Sequence, residues 1–427
     1  MTGPSHVKKS LSPIDRDQTE PAALAIYIPT LAGGGAELSM LRLAGALAER
    51  GYRVDLLLNR RRGAYVARIP AEVNVVELSR YNKWRARLDV WRAEPADLDV
   101  VWRPVLAAKT PIMSLRYLGG VADYLEQQRP AVLISALFYT NLLAVWARAL
   151  AATDTRVVVT EHNALSRRIA EGCKRAGEMP RWRHLGALIG RVYARADAIV
   201  TVSDGVGDDL AATAGLARDE ISTIYNPVVS TELAGLAAAP VDHPWFARAE
   251  PPVLLAVGRL EPQKGFDTLL EALAAVRAHR PVRLMILGEG GQREALSARA
   301  RELGIADDVS LGGWVDNPYA YMARAAAFVL SSVWEGLGNV LIEAMACGCP
   351  VVATDCPYGP REILAGGRHG RLVPVGDVRA LAGAIVATLD GPPAPAALRE
   401  RAAAFSTDRS ADRYAALIEN LTQPAPI

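Results

Sequence analysis

The stretch SSVWEGLGNVLIEAMACGCPVVATD, residues 331–355, decides how this chain is read. It continues the apolar run AAFVLSSVW, turns at Glu335-Gly-Leu-Gly, and then sets the apolar residues of NVLIEAMACG at helical spacing. Gly348 closes that helix, since helices commonly end on a glycine in the left-handed conformation. Another apolar run, CPVVATD, begins at once. Strand, loop, helix and strand in so short a span form one unit of a parallel sheet. Two acids bracket the turn: Glu335 lies in the loop, and Glu343 one to two turns into the helix. The backbone N–H groups of Leu337, Gly338, Asn339 and Val340 lie between them. Each acid could be an ordinary first-turn helix residue, and the pair together could instead face a ligand.

The same rhythm recurs outward from this stretch. LAIYIPT runs into LAGGGAELSMLRLAGALAERG and on to YRVDLLL; TRVVVTEHN, ADAIVTVSDGVGDDLAATAG and ISTIYNPV continue it. A Pro- and Ala-rich connector over residues 229–251 interrupts, and the scheme restarts with VLLAVGRL, VRLMILGEG, DVSLGGW and AAFVLSS. Continuous apolar strands alternating with helices indicate parallel sheets covered on both faces. The expected fold is therefore α/β, with two Rossmann-like doubly wound domains, residues 22–228 and 252–407, behind a disordered lead over residues 1–21. Open parallel sheets bind ligands at the carboxyl ends of their strands, so two such domains facing one another make a cleft lined by strand-end loops.

Composition bounds the function. With 51% hydrophobic and 22% charged residues the chain is globular. The stretch AVLISALFYTNLLAVWARALAA from Ala131 is interrupted by Ser135, Thr140, Asn141 and Arg148, and suits a strand feeding a helix better than a membrane span. No apolar run follows the lysines of MTGPSHVKKS, so the start does not read as a signal peptide. The four cysteines, at 173, 347, 349 and 356, fit neither a disulfide framework nor a zinc ribbon, and point to a reduced, cytoplasmic setting. The net charge of +2 hides an asymmetry: residues 1–228 carry 30 Lys/Arg against 24 Asp/Glu, net +6, and the remainder 18 against 22, net −4. A pI near 8 without a recognition motif argues against nucleic acid.

Two further loops carry chemistry. Gly33-Gly34-Gly35-Ala36-Glu37 stands between a strand and a helix, either as a plain tight turn or as a place where backbone approaches an anion. It matches neither GxGxxG nor the phosphate loop. In VGRLEPQKGFDTLLEAL, Arg259 and Lys264 stand five apart on a strand-end loop before a helix beginning near Gly265 and Phe266. They read either as solvated charges or as a cationic pair suited to a diphosphate. Asp97-Leu-Asp99 imitates an Asp-x-Asp metal site but lies in an Arg/Trp-rich stretch, and no metal or other cofactor is expected.

Taken in order, GGGAE, VSDG, YNPV, VGRLEPQKG, EGLGNVLIE and ATDCPYGPREIL resemble the motifs of retaining glycosyltransferases of family 4, with EGLGNVLIE similar to the family's Glu-x7-Glu signature. The resemblance runs from Ala22 to about Leu421 and implies the GT-B architecture. Residues 408–427 would then hold a helix crossing back to the first domain, and a tail. Carried over position by position, it implies that Arg259 and Lys264 hold the donor's diphosphate and neutralise the leaving group. Glu343 would bind the ribose. Glu335 and the amides from Gly336 through Leu337, Gly338 and Asn339 to Val340 would hold the donor sugar, while Gly34 and Gly35 would bring backbone to the phosphates. His162, in the strand-end EHN, would lie near that sugar. The implied reaction retains anomeric configuration by front-face displacement, without a protein nucleophile. A glycosidase pair would flank the scissile bond from two sides, and these acids share one loop and helix.

Acceptors in this architecture bind mainly to the first domain. Its basic residues interleave with aromatics at residues 80–92, 101–118 and 166–185, a mixture suited to an anionic membrane surface, or else to helices whose Trp and Leu pack inward. The expected donor is a UDP-hexose or UDP-N-acetylhexosamine. The expected acceptor is a glycan or a polyprenyl-diphosphate-linked sugar, which places the protein in the cytoplasm or on the inner face of the membrane. A soluble acceptor, a GT-B-shaped epimerase or phosphorylase, and a non-catalytic nucleotide-sugar sensor are the alternatives.

Overall fold

The computed structural model describes residues 22–95, 98–106, 113–175, 180–247 and 251–423. The lead over residues 1–21, Asp97, and parts of the basic stretches at 101–118 and 166–185 lie outside the described residues. Two parallel sheets organise the chain. The first holds β1 (Ala23–Ile28), β2 (Arg53–Leu58), β3 (Asn74–Glu77), β4 (Val132–Ala136), β5 (Arg156–Glu161), β6 (Ala198–Thr201) and β7 (Ile221–Thr223), in the order β3-β2-β1-β4-β5-β6-β7. The second holds β8 (Val253–Val257), β9 (Arg283–Leu287), β10 (Val309–Gly313), β11 (Ala327–Leu330), β12 (Val351–Thr354) and β13 (Arg371–Val373), in the order β10-β9-β8-β11-β12-β13.

The apolar runs are continuous because each central strand is buried twice. On β1, Leu24, Ile26 and Ile28 join one core with the Gly35–Glu49 helix. Ala25 and Tyr27 face the opposite core with the Phe138–Ala151 helix. The second sheet repeats this, with Leu254 and Ala256 of β8 on one side and Val253 and Leu255 on the other. Among the described residues no helix is long and apolar enough to cross a membrane. The stretch from Ala131 forms β4 and the helix after it.

The chain crosses between domains twice, side by side. Val228 and Val229 donate their N–H groups to the Phe405 carbonyl at 3.1 Å, and Thr407 donates back to Val229 at 2.9 Å. The final helix, Thr407–Thr422, is capped by Ser406 and buries Ala411, Tyr414 and Ile418 in the core of the first domain. Burying a side chain such as Ile418 is worth about 1.5–3 kcal/mol, enough to hold this helix away from the domain that precedes it. In each sheet the strand order reverses between two central strands, β1 and β4 in the first and β8 and β11 in the second. Those reversals open the crevices in which doubly wound sheets hold ligands.

Candidate active site

The loops after β8 and β11 meet at the second reversal. Gly265, at φ +59°, lets the first loop turn beneath the second, where a Cβ would come within 2.3 Å of the Ser331 carbonyl. Ser331 Oγ donates to the Lys264 carbonyl at 2.8 Å, Val333 N–H to that of Gln263 at 2.8 Å, and Gln263 Nε2 to that of Trp334 at 3.0 Å. This knitting aims Lys264 at Glu335: Nζ donates to Oε1 at 2.5 Å, and Ser332 Oγ donates to the same oxygen at 2.6 Å. Arg259 does not join them. Its side chain is 65% exposed and donates to Glu261 at 3.1 Å, on the rim of the loop.

The helix that follows, Asn339–Ala346, starts without a side-chain cap and without an acid in its first turn. Its leading amides therefore keep their partial positive charge beside Lys264, which suits an anionic group. Glu343, further along, is buried. Its Oε1 accepts from the Tyr319 hydroxyl at 3.1 Å and stands 3.8 Å from Arg42 of the first domain. Burial raises the Glu343 pKa, and Arg42 and the Tyr319 hydrogen bond pull it back.

The first domain presents a different surface. At the Gly33-Gly34-Gly35 loop, Glu37 turns back on its own helix start. Gly33 N–H and Gly34 N–H both donate to Oε2 at 2.9 Å, and Thr30 Oγ1 donates to Oε1 at 3.0 Å. The Gly34 N–H, expected near the donor's phosphates, is here taken by Glu37. The cause is Glu37 at the third helical position, the capping-box arrangement. Gly35 instead packs near the Asn339 side chain.

His162 follows β5 and is buried between the domains. Its carbonyl lies against Gly336, where a Cβ would stand 2.0 Å from that oxygen, so only glycine closes the gap. Ser203 Oγ donates to the Gly336 carbonyl at 2.8 Å. His162 Nε2 lies 3.1 Å from Thr160 Oγ1. That hydroxyl spends its single proton on the Ser135 carbonyl at 2.8 Å, so Nε2–H must be the donor to Thr160. Nδ1 is then a bare lone pair, buried and without a partner among the described residues. Desolvation lowers the His162 pKa to about 4, which keeps the ring neutral at physiological pH. Next to it, burial lifts Glu161 to about 7 despite hydrogen bonds from Tyr193 and Asn141.

The structure thus gathers Lys264, Glu335, Gly336 and His162, places Leu337, Gly338, Asn339, Val340 and Glu343 along one helix start, and leaves Arg259 at the rim. Sequence reasoning passed over Arg42 and Tyr319, which sit in helical patterns with no local mark. It also gave no role to Glu362, whose carboxylate accepts from Gly205 N–H at 2.9 Å and Asp204 N–H at 3.0 Å across the domains. Glu37 was legible, because Gly34 and Glu37 have capping-box spacing.

Away from the cleft, the Lys83–Ala93 helix turns a stripe outward: Trp84 is 68% exposed, Leu88 41% and Trp91 50%. Lys83, Arg85 and Arg92 are exposed with it, and its single acid, Asp89, is buried and accepts from Arg85 at 2.8 Å. Trp182, in the third basic stretch, packs against the core instead. Among the described residues no His, Cys, Asp and Glu cluster could hold a metal.

Known proteins share this fold and parts of this sequence. The family described as Glycosyltransferase Family 4 matches residues 33–232, and that described as Glycosyl transferases group 1 matches residues 251–391. One model falls on each domain, and the chain is a glycosyltransferase similar to those of family 4, with the GT-B fold. A relative in Campylobacter jejuni, N-acetylgalactosamine-N,N'-diacetylbacillosaminyl-diphospho-undecaprenol 4-alpha-N-acetylgalactosaminyltransferase, is 28% identical over 365 residues, covering 82% of this chain and 86% of that one. The lipopolysaccharide core biosynthesis glycosyltransferase LpsE of Rhizobium meliloti is 35% identical over 193 residues, 45% of this chain and 54% of that one. Among solved structures, Anabaena HepE in complex with UDP and glucose superposes with a TM-score of 0.71 at 19% identity, over 93% of this chain and 100% of that one.

Proposed function

We propose that this glycosyltransferase moves a hexose or N-acetylhexosamine, with retention, from a UDP-linked donor to a lipid-linked glycan acceptor. The observation that carries the reading is the Lys264–Glu335 pair beside an uncapped helix start, at the reversal of the second sheet. The acceptor hydroxyl attacks the anomeric carbon on the face from which the diphosphate leaves. The carbon–oxygen bond to phosphate breaks, the new glycosidic bond forms, and the hydroxyl proton passes to a phosphate oxygen. Negative charge grows on the diphosphate as the bond breaks, and Lys264 with the helix amides stabilises it more than the intact donor. Arg259 swings from Glu261 to the outer phosphate. Glu335 orients the sugar and opposes its developing positive charge. His162, neutral, accepts a hydrogen bond from a donor hydroxyl through Nδ1 and does no acid–base work near pH 7.

Retention agrees with the alpha linkage in the Campylobacter relative's name, given an alpha-linked donor. The same name includes a diphospho-undecaprenol acceptor. The Trp84–Leu88–Trp91 stripe supports an acceptor drawn from a membrane, since indoles favour the headgroup level and the flanking cations favour anionic lipid. The test is nucleotide release from a panel of UDP-, GDP- and ADP-sugars, with and without polyprenyl-diphosphate-linked acceptors, running wild type beside Glu343→Ala. One donor should respond to lipid acceptor and fail in the variant. Release indifferent to lipid would indicate a soluble acceptor, and binding without release from any donor would indicate a sensor.

A further inference from the structure

The Glu343 carboxylate is served from the opposite domain. Arg42 lies on the Gly35–Glu49 helix of the first domain, largely buried, and reaches into the second. Its Nη2 donates to the Tyr319 hydroxyl at 2.8 Å, and that hydroxyl in turn donates a hydrogen bond to Glu343 Oε1 at 3.1 Å. Its Nη1 stands 3.8 Å from the same oxygen and donates to the Val228 carbonyl at 2.8 Å, on the first of the two interdomain crossings. One guanidinium, carried on the first domain's helix, therefore bonds the crossing and Tyr319 and stands beside the carboxylate assigned to the donor's ribose. Both contacts to Glu343 fall on Oε1.

We propose that Arg42 is a positioning residue for the donor: reaching across the cleft, it orients Glu343 for the nucleoside, so that domain closure and the grip on ribose are a single event. The inference rests on the reading of Glu343 as the ribose partner. A buried carboxylate without a nearby cation takes up a proton and loses its power to accept two hydroxyls. When the domains part, Arg42 leaves with the first domain and Glu343 loses that cation. Ribose bound to Glu343 in turn favours the closed form, a linkage that works equally in both directions. The other groups facing Glu343 are Arg68 and Tyr65 of the first domain, Tyr319, and Cys347 on its own helix. None of these also bonds the crossing.

The test measures donor KM and kcat from pH 5.5 to 8 for wild type, Arg42→Met, Glu343→Gln, the double variant and Tyr319→Phe. Arg42→Met should raise donor KM about tenfold or more while kcat changes far less, the size expected when a buried charged hydrogen-bonding partner is lost. It should also move the acid limb of kcat/KM to higher pH, because Glu343 without Arg42 protonates sooner. Glu343→Gln should lack that limb, and the double variant should be little worse than either single one. Tyr319→Phe, which keeps the ring and removes only the relay hydroxyl, should raise KM by less. An unchanged KM and acid limb in Arg42→Met, or additive losses in the double variant, would overturn the proposal. A normal donor KM in Glu343→Gln would overturn it too, by removing the ribose assignment on which it stands.

Discussion

The two walls of the cleft each present a glycine-bearing loop leading into a helix, and the two helix starts are finished differently. On the first domain, Glu37 occupies the Gly33 and Gly34 amides, His162 is held neutral, and Glu161 is pushed to about 7. On the second, the helix start at Asn339 has no cap and faces the Lys264–Glu335 pair. The residue at the third helical position makes the difference: Glu37 on one side, and the buried Leu341 on the other. A carboxylate there satisfies the amides from within, and a leucine leaves them for a ligand. Two loops of similar composition thus end differently, one closed by its own carboxylate and the other with its leading amides uncapped.

The strongest way to break this contrast is on the charged wall. Lys264→Ala should lower turnover by about 10²- to 10³-fold, as loss of a group stabilising transition-state charge does. Glu335→Gln should act in the same direction, and near-normal turnover by both in nucleotide-release assays would deny the second wall its role. Next in size is the contact between walls. Gly336→Ala forces the loop off the His162 carbonyl, and a displacement of about 1 Å at a reacting centre costs up to about 10²-fold. It should lower kcat without abolishing donor binding, and a wild-type rate would show that the walls need not touch.

The quiet wall is sharpened by pH. Burial raises Glu161 from 4.5 to about 7, so the folded protein binds the extra proton. That contribution is fully present below pH 4.5 and is lost as pH rises through about 7. Between pH 5 and 8 the Tm of wild type should therefore fall by a few degrees relative to that of Glu161→Gln, a difference from which the opposite contribution of His162 cancels. His162, at about 4, should contribute no limb to the rate profile over the same range. The smallest effect belongs to Glu37→Ala, which frees the capped amides at a cost of about 1 kcal/mol of stability, seen in thermal melts, with turnover within a few-fold of wild type.

Legibility followed chain distance. The strand-end loops and the Glu335 and Glu343 positions were readable because apolar runs and glycine turns are local marks. The pairing of Lys264 with Glu335 was not, since it depends on the loops after β8 and β11 lying side by side, which the strand order brings about. Arg259 and Lys264 stand five apart in the sequence, yet the Arg259 side chain meets Glu261 two residues away while Lys264 meets Glu335. The basic and aromatic stretches divide in the same way: the Trp84 and Trp91 indoles face out, whereas Trp182 packs against the core, and no spacing rule separates them.

What the sequence by itself determined is the succession of strands and helices, the division into two doubly wound halves, and the positions of the loops that carry charge. These depend on periodicity, turn residues and caps, interactions within a few residues of chain. Only the tertiary structure decided which side chains meet. The neutral tautomer of His162 depends on Ser135 through Thr160, and the seat for its carbonyl on Gly336. The company of Glu343 comes from Arg42, some three hundred residues earlier. Burial and hydrogen-bond completion act in space, and both are set when the two domains close on one another.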